Sequence, residues 1–192
     1  WSVVADVPGK GYSAALTVAN LHAILHTLAS SALEFDKVPS IANSAMSNTL
    51  IHGRFVTAFM AELTPDGESM RWFNVGHTPP VLATGDRTIR LESLGPPLGV
   101  LPTLSVLPEE QPLDAGALLG VFTDGVTELR SKADGAEMYG MERTEEWVGK
   151  SLGMNRGANR GRRAEEFLKV LTEFGAPARD DDLTMLFLQR DG

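Results

Sequence analysis

Carboxylates stand at three well-separated places in this chain. Asp6 lies in Asp6-Val7-Pro8-Gly9-Lys10-Gly11, Asp124 in Phe122-Thr123-Asp124-Gly125-Val126-Thr127-Glu128, and a run of three opens Asp180-Asp181-Asp182-Leu183-Thr184. Each borders an apolar run of strand type, so each carboxylate is expected at a strand end. Oxygen donors of this kind suit hard divalent cations such as Mg²⁺ and Mn²⁺, whereas zinc favours Cys and His. The chain has no cysteine and 4 histidines. The chemistry to which this donor set points is metal-assisted hydrolysis.

Each residue also has a plainer reading. Asp6 precedes Gly-Lys-Gly, where backbone can approach a ligand closely, but an aspartate there also fits a turn that caps the next helix. Asp124 follows the most hydrophobic run of the chain, and a charge there is costly unless it is paired or coordinated. Three adjacent aspartates repel unless a cation neutralises them, although taken alone such a run reads best as a solvated turn. His77, in Gly76-His77-Thr78-Pro79-Pro80, fits a ligand, an acid or base, or a packed side chain, and a lone histidine is more often structural. Lys10 and Arg54 are cations able to attract a phosphate, though surface cations are usually only solvated. A Walker phosphate loop is excluded, because Gly11 follows Lys10 and no glycine stands at the required upstream spacing.

The elements that must position these groups follow from periodicity. Tyr12 to Leu33 carries apolar residues at helical spacing without an interrupting Pro or Gly, and a second helix is expected from Pro39 to Leu50 with Ser40, Asn43 and Ser47 on its wetter face and Gly53 ending it. From Phe55 to Leu107 the texture changes to short strands. Phe55–Leu63 and Met70–Val75 flank Pro65-Asp66-Gly67, and Val81–Ala83 and Thr88–Leu91 flank Gly85-Asp86, the pattern of consecutive antiparallel hairpins. Ala117–Phe122 reads as a central strand buried on both faces, and Trp1–Ala5 and Leu183–Leu188 as further buried strands. Helices are expected over Glu142–Ser151 and Ala164–Phe174, while Met46, Met60 and Met70 fit core filling. Segregated strands and helices give an α+β class: an antiparallel β-sandwich flanked by α-helices, in four layers α-β-β-α.

With 192 residues, 43% of them hydrophobic and 22% charged, the chain fits one soluble domain and contains no run near the roughly 20 apolar residues of a membrane span. A net charge of −8 argues against a nucleic-acid partner. The basic cluster Arg156–Arg163 reads as a solvated loop leading into a helix. The absence of cysteine is compatible with a cytoplasmic setting. Because Trp1–Ala5 already reads as strand, the chain is expected to begin inside a domain.

The ordered set Asp6-Val-x-Gly-Lys-Gly11, Arg54-Phe-Val-Thr57, Asn74-Val-Gly-His-Thr-Pro-Pro80, Gly95-Pro-Pro-Leu-Gly99, Thr123-Asp-Gly-Val-Thr-Glu128 and Asp181-Asp-Leu-Thr184 resembles the SpoIIE/RsbU branch of the bacterial protein phosphatase 2C-like (PPM) serine/threonine phosphatases. The resemblance runs from end to end in the expected order. It implies one phosphatase domain over residues 1–192, whose first strand, with a Gly-Gly-Asp pattern, lies upstream of Trp1. It further implies two Mn²⁺ or Mg²⁺ ions that activate a water to hydrolyse phosphoserine or phosphothreonine. By position, Asp6 would bind metal through its carboxylate and Val7 through its carbonyl, with Asp124 and Asp181 completing the site; Asp182, His77 and Lys10 would be outer-sphere or substrate-proximal. Pro8 stands where the family carries a histidine general acid. The implied substrate is a phosphorylated anti-anti-sigma (STAS-type) regulator, with a sensor domain often attached upstream. A catalytically inactive phosphoprotein-binding module is the alternative from another class, and a two-metal nuclease or nucleotidyl transferase is a third that the acidic charge disfavours.

Overall fold

A computed structural model describes every residue except Ala32, 51–53, Asp134, 155–161, 176–181 and Gly192. Gly53, Asp180 and Asp181, together with most of the basic cluster, lie outside the described residues. The chain divides into two compact units, Trp1–His77 with Ser93–Pro112 and Thr78–Glu92 with Leu113–Gly192.

The first unit is built on a four-stranded antiparallel sheet in the order β1-β2-β3-β6, from β1 (Ser2–Asp6), β2 (Thr57–Leu63), β3 (Ser69–Val75) and β6 (Glu109–Pro112). The β2–β3 hairpin closes where it was expected. Asp66 accepts from the Thr64 hydroxyl (2.6 Å) and the Glu68 amide (2.9 Å), and Gly67 takes the positive φ of 70° that an L side chain resists. Helices α1 (Tyr12–Ala29) and α2 (Val38–Ser47) cover one face of this sheet. Leu21, Leu25, Phe35, Val38, Ala42 and Met46 bury against Ala58, Met60, Phe73 and Val75. The alternate residues Phe59, Ala61 and Trp72 are buried as well.

The second unit carries another antiparallel sheet, order β5-β4-β7-β8, from β4 (Val81–Thr84), β5 (Arg87–Arg90), β7 (Leu118–Phe122) and β8 (Met185–Gln189). All five residues of β7 are buried, matching the expected central strand. The short α3 (Asp124–Thr127) follows it directly, and α4 (Gly140–Met154) and α5 (Arg163–Phe174) cover the sheet. The anchor is aromatic: fully buried Phe167 stacks on Trp147 at 4.3 Å and meets Phe122 edge-on at 5.5 Å. A Cβ on Gly120 would lie 2.6 Å from the Phe122 ring and 3.2 Å from Val148 of α4, so the bare backbone there lets the helix seat.

Several expectations are corrected. α1 ends at Ala29 rather than Leu33, because the Ser30 and Ser31 hydroxyls bond back to the carbonyls of His26 and Leu28 and close the last turn. α2 stops at Ser47, and Asn43 is buried, not wet: it accepts from the Gly99 amide (2.9 Å) and donates to the Leu101 carbonyl (3.0 Å). β1 and β8 are edge strands and mostly half-buried. β3 and β4 do not pair but belong to different sheets. β6, Glu-Glu-Gln-Pro, carries no apolar alternation and was not foreseen. Arg163, read as solvated, is 3% exposed and donates to Gln189 Oε1 at 2.8 Å.

Among the described residues, no helix is long and apolar enough to cross a membrane.

An ion-pair cluster ties α4 to β5. The Thr88 hydroxyl (2.6 Å) and Arg90 Nε (2.8 Å) both donate to Glu145. The Thr88 hydrogen bond first, and then Arg90, hold the Glu145 carboxyl below the usual glutamate range against the opposing effect of burial. A depressed folded pKa gives stability that is present above the unfolded value, about 4.3, and lost as pH falls through the folded value. Glu145→Gln should therefore cost about 0.5–1 kcal/mol at pH 7, with its melting-temperature deficit shrinking between roughly pH 5 and 3. A deficit independent of pH would contradict this assignment.

Candidate functional site

In the first unit, β1 delivers Asp6, half-buried and paired across the ladder with Thr57. Val7 turns its side chain into the core, and Gly9 and Gly11 then take φ of 104° and 83° before α1 begins. A Cβ would meet nothing at either glycine, so the backbone conformation rather than crowding demands them there. Lys10 is exposed.

His77 is 4% exposed and firmly held. Asn74 brackets its backbone, accepting from the His77 amide (2.8 Å) and donating to its carbonyl (3.1 Å). The ring Nδ1 lies 3.1 Å from the Thr57 hydroxyl, which itself stands 3.5 Å from the Asp6 carbonyl oxygen. His77 is thus tied, through Thr57, to the strand end that carries Asp6. Gly76 permits the approach: at φ 71° a Cβ would collide with the Pro97 ring, which places the Gly95–Gly99 segment against this corner.

In the second unit, residues far apart in sequence meet. Thr123, 4% exposed, follows β7. Its amide donates to the Thr184 carbonyl (3.2 Å), and its hydroxyl accepts from the Thr184 amide (3.0 Å) and donates to the Asp182 carbonyl (3.2 Å). A Cβ on Gly125 would lie 2.6 Å from that same Asp182 oxygen. Asp124 sits between these two residues as the first residue of α3, half-buried, and no cation pairs with it among the described residues. Asp182 is exposed, and 182–184 precede β8 rather than belonging to it. The pleat therefore cannot decide which aspartate of the run faces Asp124.

Among the described residues no group of three or more His, Asp or Glu side chains forms a metal cluster, and Asp181 stands outside them. The candidate donors Asp6 and Asp124 are carboxylates, the oxygen type that a hard cation takes. Sequence reasoning quoted Thr57 and Thr123 within motifs but gave neither a role. For Thr123 the available signal was a β-branched hydroxyl next to an aspartate at a strand end; Thr57 has no aspartate beside it in sequence and meets Asp6 only through the ladder.

Comparison with known proteins identifies the family and the fold. The Stage II sporulation protein E (SpoIIE) family profile matches residues 1–191. Phosphoserine phosphatase RsbU of Bacillus subtilis is 28% identical over 131 residues, covering 67% of this chain and 39% of RsbU, so the chain spans about two fifths of that relative. The SiaA PP2C domain of Pseudomonas aeruginosa superposes with a TM-score of 0.82 at 19% identity, over 98% of this chain and 74% of that one. RsbX in complex with magnesium superposes with a TM-score of 0.67 at 20% identity, over 97% and 79%. The fold is that of PP2C-type phosphatase domains, and the chain belongs to the SpoIIE family.

Proposed function

We propose that residues 1–192 form one metal-dependent serine/threonine phosphatase domain that hydrolyses phosphoserine or phosphothreonine on a regulatory protein. The observation that carries this reading is the corner at Thr123–Gly125, where Asp124 lies beside the segment that follows Asp181. Family membership along the whole chain, the phosphoserine phosphatase name of RsbU and the magnesium in RsbX support it.

Asp6, the Val7 carbonyl, Asp124 and Asp181 are assigned as ligands of two Mn²⁺ or Mg²⁺ ions. Such ions, when bound, supply Lewis acidity at the phosphoryl group and an acidified water for its hydrolysis. The chain itself supplies geometry. Thr123 and Gly125 fix the backbone of 182–184 beside Asp124, and Thr57, Asn74 and His77 fix the corner at Asp6, the kind of outer support that orients ligating carboxylates. Asp182 and Lys10 are placed near substrate or in the outer sphere. Pro8 offers no proton, so departure of the serine alkoxide relies on another donor, water included.

The substrate proposed is a phosphorylated STAS-type anti-anti-sigma factor in a cytoplasmic partner-switching pathway, under an upstream sensor domain. The net charge of −8 disfavours nucleic acid as an alternative substrate.

Phosphate release from a phosphoserine peptide should require Mn²⁺ or Mg²⁺ and stop in EDTA. Full-rate turnover in EDTA would refute the reading, and metal binding without turnover would favour a silent phosphoprotein-binding module. Asp124→Asn keeps shape but removes the charge, so kcat should fall by more than the roughly 10–100-fold typical of outer-sphere partners, with the melting temperature retained; calorimetry showing unaltered metal affinity would remove Asp124 from the ligand set. Within the acidic run, Asp181→Ala should abolish turnover, Asp182→Ala should cost about 10–100-fold and Asp180→Ala should be nearly silent. The reverse ranking would shift the ligand by one residue.

A further inference from the structure

Some arginines of the chain meet carboxylates, whereas Arg54, like Arg130, donates to a neutral oxygen. Arg71, Arg90 and Arg143 each meet carboxylates. Although 25 acidic residues outnumber 17 basic ones, Arg54 pairs with none among the described residues. It is half-buried, and its one recorded partner is neutral: Nη1 donates to the Ser13 hydroxyl at 2.5 Å. A guanidinium has five N–H donors in a planar fork, so most of its hydrogen-bonding capacity is left for something else.

That capacity is presented in a cleft of about 200 Å³ in the first unit, between α1 and α2, floored by Met46 and lined by Ser13, Thr17, Asn20 and Thr49 as well as Arg54. No carboxylate lines it among the described residues. The Thr17 and Thr49 hydroxyls already donate to helix carbonyls, Thr17 to Ser13 and Thr49 to Met46. Asn20 spends one amide hydrogen on Thr49 Oγ1 at 2.8 Å and keeps the other. The donors available to an incoming group are thus the Arg54 fork, the Ser13 hydroxyl and the second Asn20 N–H. Leu16 and Leu50 complete the lining. These donors, with the positive charge of Arg54, suit a compact oxyanion, and the guanidinium fork matches phosphate geometry.

We infer that the cleft formed by Arg54, Ser13 and Asn20 between α1 and α2 is a phosphate-binding site, distinct from the aspartates assigned to metal. The choice of phosphate among oxyanions rests on the phosphatase reading; the site itself does not. Its occupant is either free phosphate, the product, or a phosphoseryl group on the protein substrate.

The test uses the whole chain in excess EDTA, so that metal-held phosphate is eliminated, and follows titration with inorganic phosphate by calorimetry and amide chemical shifts. Saturable binding is expected, with shifts centred on Ser13, Thr17 and Asn20. Arg54→Gln should weaken it by more than about tenfold, since hydrogen bonds to charged groups are the stronger kind, and Arg54→Lys should restore part of the loss. Asn20→Leu, which leaves Arg54 in place, should weaken binding several-fold and serves if Arg54→Gln fails to fold. Phosphate affinity unchanged in folded Arg54→Gln or Asn20→Leu, or shifts centred on Asp6 and Asp124, would overturn the inference. A phosphoserine peptide binding more tightly than inorganic phosphate identifies a substrate subsite, and equal affinities identify a product site. Should the chain show no metal-dependent turnover of a phosphoserine peptide while Arg54→Gln loses phosphate, the phosphatase reading falls and the cleft stands; metal-dependent turnover with phosphate affinity unchanged in folded Arg54→Gln separates them the other way.

Discussion

One buried hydroxyl governs the corner on which the proposed chemistry depends. Thr123 Oγ1 bonds both the Asp182 carbonyl and the Thr184 amide, and its own amide reaches the Thr184 carbonyl. Three hydrogen bonds on a residue 4% exposed pin the segment before β8 to the end of β7, where leaving any of these groups unpaired would cost about 1–3 kcal/mol. Gly125 completes the constraint, because its missing Cβ is the space that the Asp182 carbonyl takes. Asp124 is therefore held between two fixed neighbours, as a carboxylate must be if it is to present oxygens to a cation without rearranging.

The opposite end of the sequence repeats the logic with different residues. Asp6 closes the β1–β2 ladder against Thr57, and Thr57 hands the constraint to His77, whose backbone Asn74 clamps on both sides. The histidine is thereby explained as part of a rigid corner and not as a stray core residue. In each unit the sheet supplies the strand end, and a threonine hydroxyl ties the backbone beside an aspartate to a second segment.

The elements with strong periodicity were legible from sequence. β7, fully apolar, reads as central because only a strand buried on both faces can lack polar positions, and Asp66-Gly67 marks the β2–β3 hairpin because the turn needs a positive φ. What stayed hidden has no local signature. β6 is recognisable only through its pairing with β3, since charged residues gain nothing from alternation at an edge. Asn43 reads as wet until the Gly99 amide and Leu101 carbonyl are seen to need it. β1 and β8 look like interior strands by composition, but position in the sheet is a tertiary fact. The site was legible as a set of motifs; that Thr123 and Gly125 bind two of them together depends on contacts across about 60 residues, beyond the reach of spacing.

The central claim is that carboxylates from separate motifs hold divalent cations, with Asp124 and Asp181 serving together. Anomalous diffraction at the manganese edge, on crystals of the chain grown with Mn²⁺, tests it most directly. The account predicts manganese peaks about 2.1 Å from carboxylate oxygens of Asp124 and Asp181, and a further contact to Asp6. Manganese bound by Asp182 with Asp124 untouched, or no ordered peak at saturating Mn²⁺, would contradict it.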